Sequence, residues 1–432
     1  MGRKVFISVL GTGFYSQCQY INADFQSIET RFIQQASLGY AQAECWKSTD
    51  IGYVLLTEGA KKLNWSTDLK ERENPRSKQM ETYVGLQEAL RKMNLPIKIE
   101  GVDIPEGKTE EEMWNIFTII FNLLEENDEL YIDLTHSFRY LPMLLLTLVN
   151  YAQFLKQITV CQVSYGNYEA RDQVTNQAPI IDLLPLHALQ EWTFAAANFL
   201  QNGYIKQLND LCSRALKPLT NSQEKKEKNP SANALGQYMK ALSTAIEDMK
   251  SCRGVNILNG ANIREVIRWE KEITDSTLPV MAPIIEKIKN TFCFVASESI
   301  MNGYRSAKWC FDNQLYQQSV TILQENIISH ICEAMKWDKI EESKRNLISQ
   351  ALNIYSLKRT EEKWEINTED KLLVEQLFEL NLFPQLSSIY IGTTGLRNDF
   401  NHAGIRVNPM ATKSIPNAIG KSIDKVYKLF EL

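Results

Sequence analysis

At 432 residues the chain is too long for one ordinary core and fits two domains of roughly 150 to 250 residues each. Hydrophobic content of 44%, charged content of 23% and a formal charge of −5 describe a globular protein without the basic surface needed to coat nucleic acid, so any nucleic acid is met in a local site. No uncharged apolar run approaches the roughly 18 residues a membrane span needs, the start MGRKVFISVLGTG lacks a signal-peptide cleavage site, and a cytoplasmic location is expected.

The first 190 residues repeat one theme, a short apolar and β-branched run followed by polar turn residues and a stretch of helical period. The runs are VFISVL (5–10), IGYVLLT (51–57), IKIEGVDI (97–104), LYIDLT (130–135) and ITVCQVSY (158–165), with IIDLL (180–184) as a last edge strand. Helices are predicted over 77–93, over 109–126 with Thr109 and Glu112 in capping-box spacing, and over 139–156 with Pro142 in the first turn. Continuous apolar strands alternating with helices indicate a mostly parallel sheet covered on both faces, an α/β Rossmann-like domain spanning 1–190. From 191 to 432 strand signals stop and the pattern is all-α; apolar residues at 320, 323, 327, 328, 331 and 335 form one helical stripe. The polar stretch 217–236, with two prolines and a lysine-glutamate run, is predicted to be an exposed, flexible insertion between helices.

In an open parallel sheet, ligands sit beyond the carboxyl ends of the strands. After the first run stand Gly11, Thr12, Gly13, Phe14 and Tyr15; after the second, Thr57, Glu58 and Gly59. After the fourth come Asp133, Thr135, His136, Ser137, Phe138 and Arg139, and around the end of the fifth Tyr165, Gly166 and Asn167. Glycines admit a ligand close to the backbone, hydroxyls donate and accept, and N–H groups at a helix start favour an anion, so a nucleotide-like ligand suits the set. The Gly-Thr-Gly turn alone is a weak sign of NAD binding, because the third glycine and the partnering acidic residue of a dinucleotide fingerprint are missing. DLTHSFR, polar or charged at five of seven positions, fits either a pocket wall or a satisfied turn with a helix cap.

The second cluster is LRNDFNHAG, 396–404, in a chain with only four histidines. Arg397, Asn398, Asp399, Asn401 and His402 crowd six positions with groups that donate, accept or carry protons. In a regular helix five residues turn through about 500°, leaving Arg397 and His402 about 140° apart, so a compact site needs two copies facing across a dimer axis. The alternative is the N-terminal turn of a helix, with Asp399 paired to Arg397 and His402 solvated. The eight cysteines include no CxxC pair and no His-x3-His lies near them, so neither a metal centre nor a disulfide framework is indicated.

A Rossmann-like domain with Asp-x-Thr-His, followed by a helical domain ending in Arg-x4-His, resembles the CRISPR-associated ancillary ribonucleases of type III systems, in which a CARF sensor domain precedes a HEPN effector domain. The resemblance extends over essentially the whole chain. It implies a homodimer whose paired CARF domains bind a cyclic oligoadenylate made by the type III effector complex, with cyclic tetra-adenylate favoured, and whose HEPN domains then cleave single-stranded RNA. Carried over by position, Gly11, Thr12, Gly13, Thr135, His136, Ser137 and Arg139 would contact the ring. Arg397 and His402 would be the catalytic pair, and Asn398 the polar residue that often follows the arginine. Ser137 stands where relatives commonly have glycine, which leaves the ring size open. No cofactor or metal is implied, since RNA carries its own 2′-hydroxyl nucleophile. Glu325 either orients the catalytic arginine or is a solvated helix glutamate, and His187 and His330 are expected to be structural. The competing function is a non-catalytic nucleotide-sensing module whose helical half dimerises or docks a partner.

Overall fold

The computed structural model describes residues 2–75, 78–136, 140–274, 278–292, 294–364 and 366–432. The chain divides into two compact units, Met1–Gln190 and Glu191–Leu432.

The first unit is built on strands β1 (Lys4–Leu10), β2 (Gln19–Asn22), β3 (Phe25–Gln26), β4 (Ile51–Leu56), β5 (Leu69–Glu73), β6 (Met80–Val84), β7 (Lys98–Asp103), β8 (Glu129–Asp133), β9 (Thr159–Gly166) and β10 (Gln177–Asp182). Eight of them form one sheet in the order β3-β2-β10-β9-β8-β1-β4-β7, while β5 and β6 form a separate hairpin. The pairs from β9 through β8, β1 and β4 to β7 are all parallel, and β10 runs antiparallel to β9. In β1 successive side chains enter opposite cores. Val5, Ile7 and Val9 pack with Ile116, Ile120, Leu145 and Leu148, whereas Phe6 and Leu10 pack with Phe32, Leu38, Trp65 and Leu86. Because both faces are covered, each such side chain contributes roughly 1.5–3 kcal/mol of burial, and a continuous apolar run is what this position selects.

The helices on one face behave as the sequence indicates. Glu110–Leu123 starts at Thr109, whose hydroxyl accepts from Glu112 N at 3.2 Å, and the Glu112 carboxylate reaches back to Lys108 N at 2.7 Å. Leu141–Lys156 carries Pro142 in its first turn.

Three expectations are corrected. The run predicted as an edge strand at 180–184 is β10, Gln177–Asp182, and it lies inside the sheet because the short, polar β2 and β3 extend the sheet beyond it. The helix predicted over 77–93 is β6 followed by the short helix Leu86–Arg91. Thr82, Tyr83 and Val84 favour an extended chain, and at Gly85 a Cβ would lie 2.2 Å from the Ser66 carbonyl oxygen, so the backbone must pass too closely for a continued helix. The stretch 217–236 is largely helical: it contains the end of Lys206–Thr220, the short helix Gln223–Lys228 and the start of Pro230–Lys250. Ser222 caps Lys225 N at 3.3 Å, Lys228 pairs with Glu224 at 2.6 Å, and Pro230 occupies the first turn, where its ring costs nothing.

In the second unit every regular element among the described residues is a helix. Ile300–Asp312, Tyr316–Ala334, Glu342–Ser356, Phe383–Asn401 and Ile415–Phe430 pack into one bundle. Tyr316–Ala334 is its central member, burying Val320, Leu323, Ile327, Ile328 and Ile331 along the expected stripe. No helix among the described residues is long and apolar enough to cross a membrane.

Candidate functional site

In the first unit the strand ends converge on Asp133. Ser8 on β1 lies opposite Asp133 on β8 in parallel register, and its hydroxyl donates to Asp133 Oδ2 at 2.7 Å. Thr135 donates to Asp133 Oδ1 through its N–H at 3.2 Å and its hydroxyl at 2.5 Å, while the same hydroxyl accepts from Gly166 N at 2.8 Å. Gln34 donates to Ser8 Oγ at 3.1 Å and closes the relay. Burial raises the Asp133 carboxyl above its ordinary range, against the hydrogen bonds from Thr135 and Ser8. The fully buried Asp133 thus ties together β1, β8 and β9 and fixes the backbone that presents His136.

The His136 ring stacks on Tyr15 with centroids 4.1 Å apart and planes 24° apart. Its Nε2 is buried with no hydrogen-bond partner among the described residues, and burial lowers its pKa to about 4. The Gly-Thr-Gly turn lies across the same ring pair. A Cβ on Gly11 would stand 2.6 Å from the Tyr15 hydroxyl, and one on Gly13 would stand 3.1 Å from the Tyr15 ring, so glycine is what lets the tyrosine lie beneath the turn. Asn64 Nδ2 donates to the Gly11 and Gly13 carbonyls at 2.8 and 2.9 Å, and Arg72 Nη1 donates to Gly13 at 3.1 Å. Thr12 and Gly13 are exposed and Gly11 and Phe14 half-buried, with the Arg31 guanidinium 5.2 Å from the Phe14 ring. The β1 and β4 turns are neighbours, because a Cβ on Gly59 would lie 3.3 Å from Thr12 Cγ2.

Other predicted ligand contacts are placed differently. Thr57 is buried and caps the helix Glu58–Asn64, accepting from Ala60 N at 3.3 Å, so its hydroxyl is committed inward while Glu58 is exposed. Asp133 is likewise an internal tie and not a surface group. Gly166 is buried, Tyr165 is half-buried beside β10, and Asn167 caps the turn Tyr168–Ala170. Ser137, Phe138 and Arg139 lie outside the described residues. Tyr15, which stands in the strand-end set but not among the ring contacts carried over by position, lies beneath the Gly-Thr-Gly turn. Asn64 and Arg72 were not expected: they belong to charged, motif-free stretches and meet the turn only through the fold.

In the second unit Arg397 sits on Phe383–Asn401, and His402 is that helix's C-cap. The motif therefore ends a helix instead of starting one. Gly404, at φ +72°, closes the end by donating its N–H to the Asp399 carbonyl at 2.8 Å. Asp399 does not pair with Arg397: its Oδ2 accepts from Met410 N at 2.8 Å and its Oδ1 lies 3.7 Å from Arg406. Arg397 is held by the central helix, with Nη2 at 2.7 Å from Glu325 Oε1 and Nη1 donating to Gln324 Oε1 at 3.3 Å. Glu325 is thus not a solvated helix residue. Its other oxygen meets Arg345 at 2.5 Å, and the two guanidiniums hold its carboxyl below the usual range despite the opposing pull of burial. Gln324 is fixed in turn by donating to Thr393 Oγ1 at 2.9 Å. Asn398 and His402 are exposed. His330 is structural, bonded to the Tyr304 hydroxyl at 2.9 Å and packed on Phe430. No group of three or more metal-ligating side chains occurs among the described residues.

Residues 5–179 match the family model described as the CARF domain of the CRISPR system endoribonuclease Csx1. The chain therefore carries a CARF domain in its first unit. It is also similar to the CRISPR-associated protein MJ1674 of Methanocaldococcus jannaschii, 25% identical over 233 residues that make up 53% of this chain and 33% of the relative. The chain thus spans about a third of the length of that curated relative. The CARF match contains the Gly-Thr-Gly turn, the Asp133 relay, His136 and the 165–167 segment.

Two consequences for the CARF domain can be measured. Thr57→Ala removes a buried cap and is expected to cost about 1 kcal/mol in urea unfolding, with Thr57→Ser retaining most of it. Since the folded pKa of His136 lies below its unfolded value, the unfolded chain takes up this proton first as pH falls. The corresponding stability is present above about pH 6.5 and is lost toward pH 4. Thermal melting should therefore fall more steeply over that window in the parent protein than in a His136→Phe variant.

Proposed function

We propose that this protein is a cyclic oligoadenylate-activated, metal-independent endoribonuclease of type III CRISPR defence, acting as a homodimer on single-stranded RNA. The observation that carries the reading is the ion-paired, oriented Arg397 one turn before an exposed His402 at a helix end, in a chain whose other unit is a Csx1-type CARF domain. In the first unit, the exposed turn at Thr12 and Gly13 and the backbone fixed by Asp133 and Thr135 would receive the ring-shaped activator, with cyclic tetra-adenylate favoured. A two-fold symmetric ring asks each subunit to bind only half of it, which suits an acidic protein with a local site.

The chemistry requires a proton taken from the RNA 2′-hydroxyl, a bond formed from that oxygen to phosphorus, and the phosphorus–5′-oxygen bond broken with a proton delivered to the leaving oxygen. His402 supplies an imidazole that can take and give a proton, and Arg397 retains N–H donors beyond those spent on Glu325 and Gln324 for the phosphate oxygens. Asn398 adds a neutral polar contact. Two copies facing each other would bring both pairs to one phosphate. The products then carry a 2′,3′-cyclic phosphate, or the 3′-phosphate from its opening, and a 5′-hydroxyl. Mass spectrometry of cleaved RNA tests this, and a 5′-phosphate with a 3′-hydroxyl would rule the mechanism out.

A further inference from the structure

The ion pair that holds Arg397 has a third member. Glu325, on Tyr316–Ala334, meets Arg397 through Oε1 at 2.7 Å and Arg345, in the first turn of Glu342–Ser356, through Oε2 at 2.5 Å. Each carboxylate oxygen thus has its nearest cation on a different helix.

Arg345 is the fixed end of this chain of charges. Its Nη1 donates to Ser329 Oγ at 3.0 Å and to the Lys339 carbonyl at 2.7 Å. Its Nη2 donates to the Glu325 carbonyl at 3.2 Å as well as to the carboxylate. All the N–H groups of the two terminal nitrogens are therefore spoken for, and the plane of the guanidinium is set. Ser329 is held in turn, donating to the Glu325 carbonyl at 2.8 Å. Glu325, Ser329 and Arg345 also line a cavity of about 720 Å³ within the helical unit, so on that side hydrogen bonds and not close packing hold the carboxylate. Burial pushes the Glu325 carboxyl up, and the hydrogen bond from Arg345 is the largest of the interactions that outweigh it.

The sharing matters because a carboxylate with both oxygens free closes on a guanidinium as a two-bond fork, the strongest form of this pair. A fork on Arg397 would take two of its N–H donors. With Oε2 occupied by Arg345, Glu325 holds Arg397 through Oε1, and the other donor stays free for a phosphate oxygen.

We propose that Arg345 is a positioning residue for the ribonuclease site, acting through Glu325 to keep Arg397 oriented and still available to the substrate. The proposal rests on the ribonuclease reading and deepens it by one residue that does not itself touch RNA.

A double-substitution cycle on activator-dependent cleavage by the full chain tests it. Arg345→Met is expected to lower kcat by about tenfold to a hundredfold, the scale of a misplaced transition-state contact. Arg345→Lys keeps a cation beside Oε2 without the fixed plane and should recover part of the loss; it carries the same cycle where Arg345→Met does not fold. In Glu325→Gln protein, Arg345→Met should change kcat by less than about twofold. The same loss in both backgrounds, or an unchanged kcat in Arg345→Met, overturns the proposal, because a residue that only ties two helices together acts without regard to Glu325. Should the parent protein cut no RNA, urea unfolding reads the linkage instead. Arg345→Met and Arg397→Met should then be non-additive, the second costing more than the first because it leaves Glu325 without a cation, and additive in Glu325→Gln protein. That pattern keeps the positioning and overturns only the ribonuclease reading, whereas additive shifts with Glu325 present overturn the positioning itself.

Discussion

Replacing His402 with alanine is expected to reduce activator-dependent RNA cleavage by about 10²–10⁴-fold, the ordinary worth of a positioned general acid-base group. The side chain is exposed at the helix C-cap, so removing it should change unfolding free energy by no more than about 0.5 kcal/mol. Binding of the cyclic activator should be unchanged, because its expected contacts lie in the other unit. Loss of activity with intact folding and intact ligand binding separates a chemical role from a structural one. Cleavage at the parental rate in His402→Ala would remove the helical unit's assigned chemistry.

The second large effect is expected at Asp133. Asp133→Ala takes the acceptor from Ser8 Oγ, Thr135 Oγ1 and Thr135 N at one stroke and leaves a buried gap between β1 and β8. With an orphaned donor costing about 1–3 kcal/mol and one of these hydroxyls still able to turn to another acceptor, a total near 3–5 kcal/mol is expected in denaturant unfolding. Asp133→Asn keeps an acceptor and should cost about half as much. Both should weaken activator binding, since Thr135 would no longer be held and the backbone presenting His136 would be released. Unaltered stability in Asp133→Ala would show that the relay is not what fixes these strand ends.

Much of the fold was legible because burial on two faces leaves a strong signal. Strands such as VFISVL and LYIDLT admit no polar alternation, and the capped helix at Thr109 and the stripe on Tyr316–Ala334 follow from local rules. What was missed has weak local signal and is fixed by partners distant in sequence. β2 and β3 are short and polar, and β6 looks helical in charge pattern while Gly85 forbids the helix from continuing through it. The helix Phe383–Asn401 contains Ser, Thr and two glycines, and is held in part by Gln324 donating to the Tyr390 carbonyl. The site shows the same division. Asp133, Thr135 and His136 stand together in a motif, whereas the pairing of Glu325 with Arg397 spans seventy-two positions of sequence, and only the packing of two helices brings it about. Asn64 and Arg72, which hold the Gly-Thr-Gly turn, meet it for the same reason.

The most direct test is cleavage of a fluorescent single-stranded RNA by the full chain in EDTA, with and without cyclic tetra-adenylate and, in parallel, cyclic hexa-adenylate. The account predicts cleavage that survives chelation and appears only when one of the rings is present. Cleavage of equal rate without either ring, or none with both, would contradict it.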